Sequence, residues 1–501
     1  MLRLQILRCN QSRSRITIYR LFTLKSGSKY TLPKDYVQNK ESIKAISLKE
    51  GWEIWKNSLS SKRLDNLQGE LIKLMLPNSK ENENIETIQR RIPIDNNDYI
   101  NTVTIRRKND ELPIKHVVFI HGYGASLGCF ARNFKIIDEL KNSEKFNYHI
   151  HFLDNITFGL SSNPSIPNDN ISWRIPSAAR LKLIDNEPTD PKKLYKKYYK
   201  LIDGYQLDPE NYKEYQEHFK PILEDMENFY TGAIDRWRKN LGLEKIDYLI
   251  GHSFGAYWCG SYSIKSFDKV SNLILLSPVG LERNIMAITN TDEITNKNER
   301  PTLDPTSYKF LSRFPILSRN HILNWYYKIP YLPRILKFLG PFGVQYYFKM
   351  WLSKLSKINK LIKKHGGPQK IFQNSNDLVI GSQKEINLII EYLYNSITNG
   401  TNSDIYVKYL LTPATVSKWP LMDKFLNADL NKISFNTFVF YGQYDFMNSE
   451  AGEKMIKKLN EKNTSKIKFE YDEIAEGGHN LYIDNPFDTN KKIAEIILNQ
   501  E

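Results

Sequence analysis

Gly251-His252-Ser253-Phe254-Gly255 is the most informative stretch of the sequence. Residues 246–250 before it are short and largely apolar, which is typical of a buried parallel strand. Residues 256–264 after it are small and apolar enough for a packed helix. A G-x-S-x-G sequence between a strand and a helix is a nucleophile elbow, whose glycines permit a sharp turn that presents the serine hydroxyl. The pattern predicts that Ser253 is a nucleophile, and an ordinary glycine turn is the alternative.

Apolar segments with the character of strands and helices extend from this turn in both directions. Helical spacing of apolar residues occurs over 47–76, 222–237 and 493–498. Seven further runs have the length and composition of strands: 85–94, 99–106, 115–120, 148–154, 272–278, 435–441 and 467–471. Strands that alternate with helices predict a mostly parallel sheet covered by helices.

The strand at 115–120 ends in His121-Gly122-Tyr123-Gly124. In serine hydrolases, the turn after this strand supplies one backbone N–H to the oxyanion hole, and the residue after the nucleophile supplies the other. We therefore expect the backbone near Tyr123 and at Phe254 to bind an oxyanion. His121 is expected to hold the turn rather than to take part in the chemistry.

An acid and a histidine follow the serine along the chain. Asp445 comes just after the strand at 435–441, and His479 lies in the loop before the closing helix. Taken singly, Asp445 could be a turn residue and His479 a loop histidine. The order Ser253, Asp445, His479 is the triad order of the α/β-hydrolase fold, in which the acid orients the imidazole that activates the serine. The sequence therefore predicts that α/β fold, with an inserted helical cap.

The segment before Asp35 is rich in Arg and Ser and contains no acid, so we expect a mitochondrial presequence there, with a disordered basic tail as the alternative. The expected organisation is a presequence at 1–34, a helical extension with the first strand at 35–95, a first part of the core at 96–280 with a polar insertion at about 163–220, a basic aromatic helical cap at 281–430 and the last part of the core at 431–501.

The chain is basic, with a formal net charge of +15 over 501 residues. Thirteen Lys or Arg residues and no acid lie between Asp304 and Asp377, interspersed with Trp, Tyr, Phe and Leu. This mixture suits anionic lipid headgroups and acyl chains better than nucleic acid, although RNA or a solvated basic face are alternatives. We expect an anionic phospholipid membrane as partner, and nothing in the sequence indicates an oligomeric state. The residues expected to contact the membrane are Lys354, Lys357, Lys360, Lys363 and Lys364.

These features resemble α/β-hydrolases that act as phospholipid deacylases and lysophospholipid acyltransferases, including fungal mitochondrial cardiolipin-specific deacylases. The resemblance covers about 100–290 and 430–500. It implies a serine acyl hydrolase that deacylates an anionic phospholipid, with cardiolipin as the expected substrate, on the matrix side of the mitochondrial inner membrane. It implies no metal or organic cofactor. The motifs that carry it lie at 121–124, 158–162 and 237–255 and at His479, which Asp484 follows after four residues.

In this family the spacing of His479 and Asp484 is linked to acyl transfer, whereas the alternative role of Asp484 is a turn or helix-start carboxylate. A second hypothesis is therefore a lysophospholipid (lysophosphatidic acid) acyltransferase that uses acyl-CoA, since both reactions share an acyl-Ser253 intermediate. A third is a non-catalytic scaffold on a lipid surface, like relatives that lack the serine. The complete set of three triad residues argues against the third hypothesis.

Overall fold

The computed structural model describes most of the chain after residue 44. The expected presequence lies outside the described residues, and for 37–38, 354–364 and 372–373 only the backbone is described. The described residues are 37–38, 45–77, 82–95, 97–108, 111–141, 143–175, 179–184, 203–312, 334–364, 372–373, 382–412 and 415–500.

A mostly parallel eight-stranded sheet forms the centre of the molecule, in the order β12-β11-β9-β8-β4-β5-β3-β2. Its strands run parallel from β12 to β5, and β3 and β2 join antiparallel at one edge. The described strands are β1 (Val37–Gln38), β2 (Ile85–Pro93), β3 (Tyr99–Arg107), β4 (Ile114–Ile120), β5 (Asn147–Leu153), β6 (Leu181–Ile184), β7 (Gly204–Leu207), β8 (Ile246–His252), β9 (Val270–Leu276), β10 (Phe372–Gln373), β11 (Asn436–Gly442) and β12 (Phe469–Ile474). The predicted α/β-hydrolase architecture is confirmed, and all eight predicted strands lie in this sheet.

The helices cover both faces of the sheet. The described helices are α1 (Leu48–Asn57), α2 (Arg63–Met75), α3 (Ile136–Glu139), α4 (Pro209–Asn240), α5 (Phe254–Lys265), α6 (Ile335–Phe338), α7 (Gly340–Lys364), α8 (Gln383–Thr398), α9 (Ser403–Leu410), α10 (Leu421–Asn427), α11 (Ser449–Lys462), α12 (Leu481–Asp484) and α13 (Pro486–Asn499), with a 3₁₀ helix at Leu127–Lys135. Among the described helices, none combines the length and the apolar character that crossing a bilayer requires.

Two apolar clusters pack against opposite faces of the sheet, because successive side chains of a strand point to opposite sides. On β8, Leu249 belongs to the cluster that contains α4 and α5, whereas Ile250 belongs to the cluster that contains α2, α8 and α13. Both side chains are fully buried. The strand that leads into the serine turn is therefore fixed from both sides.

Two segments differ from their predicted secondary structure. Helix α4 begins at Pro209, inside the stretch expected to be an irregular insertion, because Asp208 caps its N-terminus and Pro209 occupies its first turn. Residues 281–312, expected to begin the helical cap, contain no helix and no strand. Side chains there bind their own backbone instead: Asn284 accepts the Met286 N–H at 2.9 Å. Such local bonds favour turns over helices, and the described helices of the cap region are α6 to α10.

Candidate active site

Ser253 lies between β8 and α5 with φ 52° and ψ −113°, a conformation that non-glycine residues rarely adopt. Its N–H donates to the Leu276 carbonyl at 2.9 Å, and its carbonyl accepts the Tyr257 N–H at 3.1 Å. Such backbone strain costs about 1–3 kcal/mol and persists only where surrounding contacts enforce it. The turn therefore holds the Ser253 side chain at the start of a helix.

The two glycines of the motif are needed for close packing. A Cβ atom on Gly255 would lie 2.2 Å from the His121 carbonyl oxygen, and one on Gly251 would lie 2.6 Å from the Ala256 Cα. Neither glycine has a positive φ, since the unusual conformation belongs to Ser253 itself. The glycines permit the sharp turn through their missing side chains, which lets α5 approach the end of β4 and its own strand.

The structure brings the three predicted triad residues together. The His479 Nε2 lies 3.0 Å from the Ser253 Oγ, and the His479 Nδ1 lies 3.1 Å from the Asp445 Oδ1. The His479 side chain is 18% exposed, whereas that of Asp445 is 1% exposed. Because a carboxylate can only accept, His479 donates from Nδ1 and its Nε2 is left to accept the serine proton. This is the hydrogen-bond order that serine activation needs.

Asp445 is held as a charged group despite its burial. Burial alone would raise its pKa, but the pKa lies below its ordinary value because His479 and the Met447 N–H stabilise the carboxylate. The Met447 N–H donates to Oδ1 at 2.9 Å. A buried carboxylate beside an imidazole favours the imidazolium that forms when His479 takes a proton.

A second histidine, which the sequence did not single out, fixes the backbone of His479. The Nε2 of His252 donates to the carbonyl of His479 at 2.9 Å. Burial and the neighbouring His479 lower the pKa of His252 to about 3, so its imidazole is neutral. The sequence signal for this role is the position of His252 directly before the nucleophile, at the end of β8. There its side chain reaches the loop that carries His479.

Asp484 supports the same loop from the other side. Its Oδ2 accepts the Gly478 N–H at 3.0 Å, directly before His479. The His479 imidazole is paired with Asp445 rather than with Asp484. This contact matches the structural role considered for Asp484, a turn carboxylate that positions the triad histidine.

The two expected oxyanion donors are close to the serine turn. Phe254 is the first residue of α5, so its N–H has no acceptor within the helix. The turn at Tyr123 is braced by His121, which donates from Nδ1 to the Gly122 carbonyl and accepts the Asn155 N–H at Nε2. Burial lowers the pKa of His121 to about 4, consistent with a neutral side chain that holds the turn.

The cap also contacts this turn, through a residue that the sequence did not indicate. The Tyr123 hydroxyl donates to the Asp404 Oδ1 of α9 at 2.9 Å. Burial raises the pKa of Asp404, while Tyr123 and the Thr401 N–H stabilise the charged form. Because 281 residues separate the two partners, no local sequence pattern could reveal this contact.

The structure does not test two of the sequence-based expectations, the membrane-binding lysines and the absence of a metal. The expected membrane lysines lie at the end of α7, and their side chains are outside the described residues: Lys354, Lys357, Lys360, Lys363 and Lys364. Within the part of the chain that the structure describes, no three His, Cys, Asp or Glu side chains are grouped to hold a metal.

Several curated proteins are similar to this chain over much of its length. Protein ECM18 of Saccharomyces cerevisiae is 27% identical over 457 residues, which cover 90% of this chain and 84% of that protein. The 1-acylglycerol-3-phosphate O-acyltransferase ICT1 of the same yeast is 28% identical over 382 residues, covering 74% of this chain and 78% of that protein. The 1-acylglycerol-3-phosphate O-acyltransferase ABHD5 of Sus scrofa is 26% identical over 282 residues, covering 56% and 64%.

These names bear on the resemblance stated above. They support the group of lipid-modifying α/β-hydrolases that includes lysophospholipid acyltransferases, and they do not single out a cardiolipin-specific deacylase. The family model for the alpha/beta hydrolase fold matches residues 115–486, which include all three triad residues. This chain therefore belongs to the α/β-hydrolase fold family.

Proposed function

We propose that this chain is a serine acyl hydrolase that removes a fatty acyl chain from an anionic phospholipid. The observation that carries the proposal is the hydrogen-bonded series Asp445, His479, Ser253, with the serine at the start of α5. A serine in this setting can form an acyl-enzyme from an ester, because His479 lies within hydrogen-bond distance as a base.

In the proposed first step, the Ser253 Oγ bonds to the ester carbonyl carbon and His479 Nε2 takes the hydroxyl proton. Asp445 stabilises the imidazolium, while backbone N–H groups at Phe254 and near Tyr123 bind the oxyanion. When the ester C–O bond breaks, the leaving lysophospholipid oxygen takes the proton from His479. Water then attacks the acyl-Ser253 ester, with His479 as base, to release fatty acid and restore the serine.

The substrate class rests on the relatives and on charge. Two of the relatives above are named for acyl transfer to an acylglycerol phosphate, which favours a glycerophospholipid. The basic segment between Asp304 and Asp377 favours an anionic one. Within that class we propose cardiolipin, on the inner mitochondrial membrane. Residues 1–34 should then carry a fused fluorescent protein into mitochondria, and cytosolic fluorescence would remove the location from the proposal.

An acyl-CoA-dependent lysophospholipid acyltransferase is the second candidate. The observation that favours it is the name shared by ICT1 and ABHD5. The two reactions use the same acyl-Ser253 intermediate and differ in the acceptor: the hydroxyl of a lysophospholipid replaces water. We place hydrolysis first because water needs no binding site of its own.

Lipid analysis of purified protein separates the candidates. Given cardiolipin alone, the hydrolase should yield free fatty acid and monolysocardiolipin, and Ser253→Ala should yield neither. Phosphatidylcholine serves as the neutral control substrate. If cardiolipin stays intact while acyl chains from acyl-CoA enter lysophosphatidic acid, the acyltransferase replaces the hydrolase. If neither reaction occurs and Ser253 resists a fluorophosphonate probe, the scaffold hypothesis is the better one.

A further inference from the structure

Helices α6 and α7 present large apolar side chains to solvent. Phe338 at the end of α6 is 86% exposed, and on α7 Phe342 is 66% and Tyr346 62% exposed, the last two sharing one side of α7 because they are four residues apart. Ile335 and Leu339 beside them are also exposed. We call these five residues the outer face.

The opposite side of α7 is already packed in the core. Val344, Tyr347 and Phe348 are buried, and the Tyr347 ring lies 5.7 Å from that of Tyr394 on α8. A helix that packs on a core through one side normally has a polar opposite side. Here both sides are apolar, so the outer face requires a second apolar environment.

The charges around the outer face favour a membrane over a protein partner. Helices α6 and α7 contain no acidic residue, and Lys337 and Lys349 lie within them. Lys349 is exposed. Aromatic and aliphatic side chains bordered by lysines suit the boundary between anionic headgroups and acyl chains.

The start of α6 is connected to the candidate active site through a series of contacts. A Cβ on Gly400 would overlap the Arg334 side chain, which places the start of α6 against the turn before α9. On that helix Asp404 accepts the Tyr123 hydroxyl at 2.9 Å, and Tyr123 belongs to the expected oxyanion turn. This series of contacts connects the start of α6 with the expected oxyanion turn.

We propose that Ile335, Phe338, Leu339, Phe342 and Tyr346 insert into the surface of an anionic phospholipid bilayer and so dock the protein on its substrate. The inference rests on the proposed function for the identity of the lipid. It concerns binding alone, so it can fail or hold independently of catalysis.

The test uses the full chain with Ser253→Ala, which cannot consume the lipid, and measures sedimentation with vesicles. We expect strong binding to phosphatidylcholine vesicles that contain phosphatidylglycerol, and weak binding to phosphatidylcholine alone. Phe338→Ser with Phe342→Ser should weaken binding by about tenfold or more. Each phenylalanine side chain that enters the bilayer contributes the favourable transfer free energy of its apolar area, and serine does not. The thermal unfolding midpoint of this variant should match that of the Ser253→Ala parent, because both substituted side chains are exposed.

The matched control is Phe267→Ser with Leu303→Ser, two exposed apolar residues outside the outer face. Phe267 precedes β9, at the edge of the sheet opposite the serine turn. The control should bind vesicles within about twofold of the parent, because these side chains are not expected to enter the bilayer. Equal losses in both double variants, or no loss in the Phe338 and Phe342 variant, would overturn the proposal.

A second copy of the chain is the rival occupant of the outer face. Light scattering of the Ser253→Ala protein in the absence of lipid should give the same mass as the Phe338→Ser, Phe342→Ser form. A dimer that dissociates in this variant would show that the face is a subunit contact instead. If vesicle binding follows the expected pattern but no phospholipid is cleaved by the wild type, the docking surface stands and the proposed reaction falls.

Discussion

The loop that carries His479 and the outer face of α6 and α7 are stabilised in opposite ways. The loop is fixed by a hydrogen bond from His252 to its backbone and by a buried one from the Gly478 N–H to Asp484. The outer face has core contacts on one side and exposes Phe338 on the other. The loop therefore suits the proposed chemistry, which depends on fixed distances. The outer face suits the proposed docking, which depends on apolar side chains that move from water into the bilayer. Variants of the two regions should separate turnover from membrane binding.

The largest effect should come from Ser253→Ala. The residues of a catalytic triad act together, so the loss of one of them lowers turnover by about 10⁴- to 10⁶-fold. We expect that loss in kcat on a soluble short-chain ester, with vesicle binding unchanged. Turnover near that of the wild type would mean that Ser253 is not the nucleophile, and a parallel loss of vesicle binding would break the separation of the two regions.

The next largest effect should distinguish two acids near His479. Asp445→Asn removes the carboxylate paired with the imidazole, and the comparable change in a serine protease costs about 10⁴-fold in kcat. Asp484→Asn retains an oxygen that can accept the Gly478 N–H, so we expect a loss within about tenfold, as for one neutral hydrogen bond. Turnover measured at equal protein concentration gives the ranking. The reverse ranking would make Asp484 the triad acid.

The triad was accessible from the sequence because each of its members follows a recognisable strand. Ser253 follows β8, Asp445 follows β11 and His479 comes shortly after β12. Parallel strands end at one edge of a sheet, so the order of these residues along the chain predicts that they meet. The length and apolar composition of the segments located all eight strands of the central sheet.

Other features depend on contacts that no local pattern encodes. The bond from Tyr123 to Asp404 joins distant segments, and the hydrogen bond from His252 to His479 depends on how two loops meet. The sequence indicated a membrane-facing basic aromatic segment, but it did not show which of its aromatic residues, such as Phe338 and Phe342, are exposed and which pack in the core. The start of α4 was missed because the buried aromatic residues of its first turns, Tyr212, Tyr215 and Phe219, stand among many charged residues.

An intermediate effect is expected where the cap meets the core. Tyr123→Phe and Asp404→Ala each remove the same hydrogen bond, and we expect each to lower kcat by up to about tenfold while KM changes little. In the double variant the loss should not exceed the larger of the two single losses, because both changes remove the same bond. Asp404→Asn, which can still accept the hydroxyl, should restore most of the turnover.

The prediction would be contradicted if this contact had a purely structural role. In that case the unfolding midpoint would fall in both single variants while kcat stayed at the wild-type value. A change in KM alone would instead place Asp404 in substrate binding rather than in positioning of the oxyanion turn.

The smallest effect should appear in the pH dependence of stability. Burial lowers the pKa of His121 to about 4 and that of His252 to about 3, so both bind fewer protons when folded than when unfolded. The free energy of unfolding should therefore fall as the pH drops below about 6.5, by at most about 1.4 kcal/mol per pH unit for each histidine. Asp154, whose pKa burial raises to about 6, opposes part of this loss.

Urea unfolding between neutral pH and pH 4 measures this dependence. His121→Gln should flatten the slope, since glutamine does not titrate, whereas substitution of the exposed Phe267 should not. Stability that is constant, or that rises as the pH falls over this range, would mean that His121 and His252 are not held neutral in the folded protein.

The most direct measurement is covalent labelling of the wild-type protein with a fluorophosphonate, followed by mass mapping of its peptides. We expect a single modified site at Ser253, protection of that site by excess anionic phospholipid, and labelling that is much slower in His479→Ala. Unmodified Ser253, or labelling at its wild-type rate without His479, would contradict the assignment of this serine and histidine as the acyl-transferring pair.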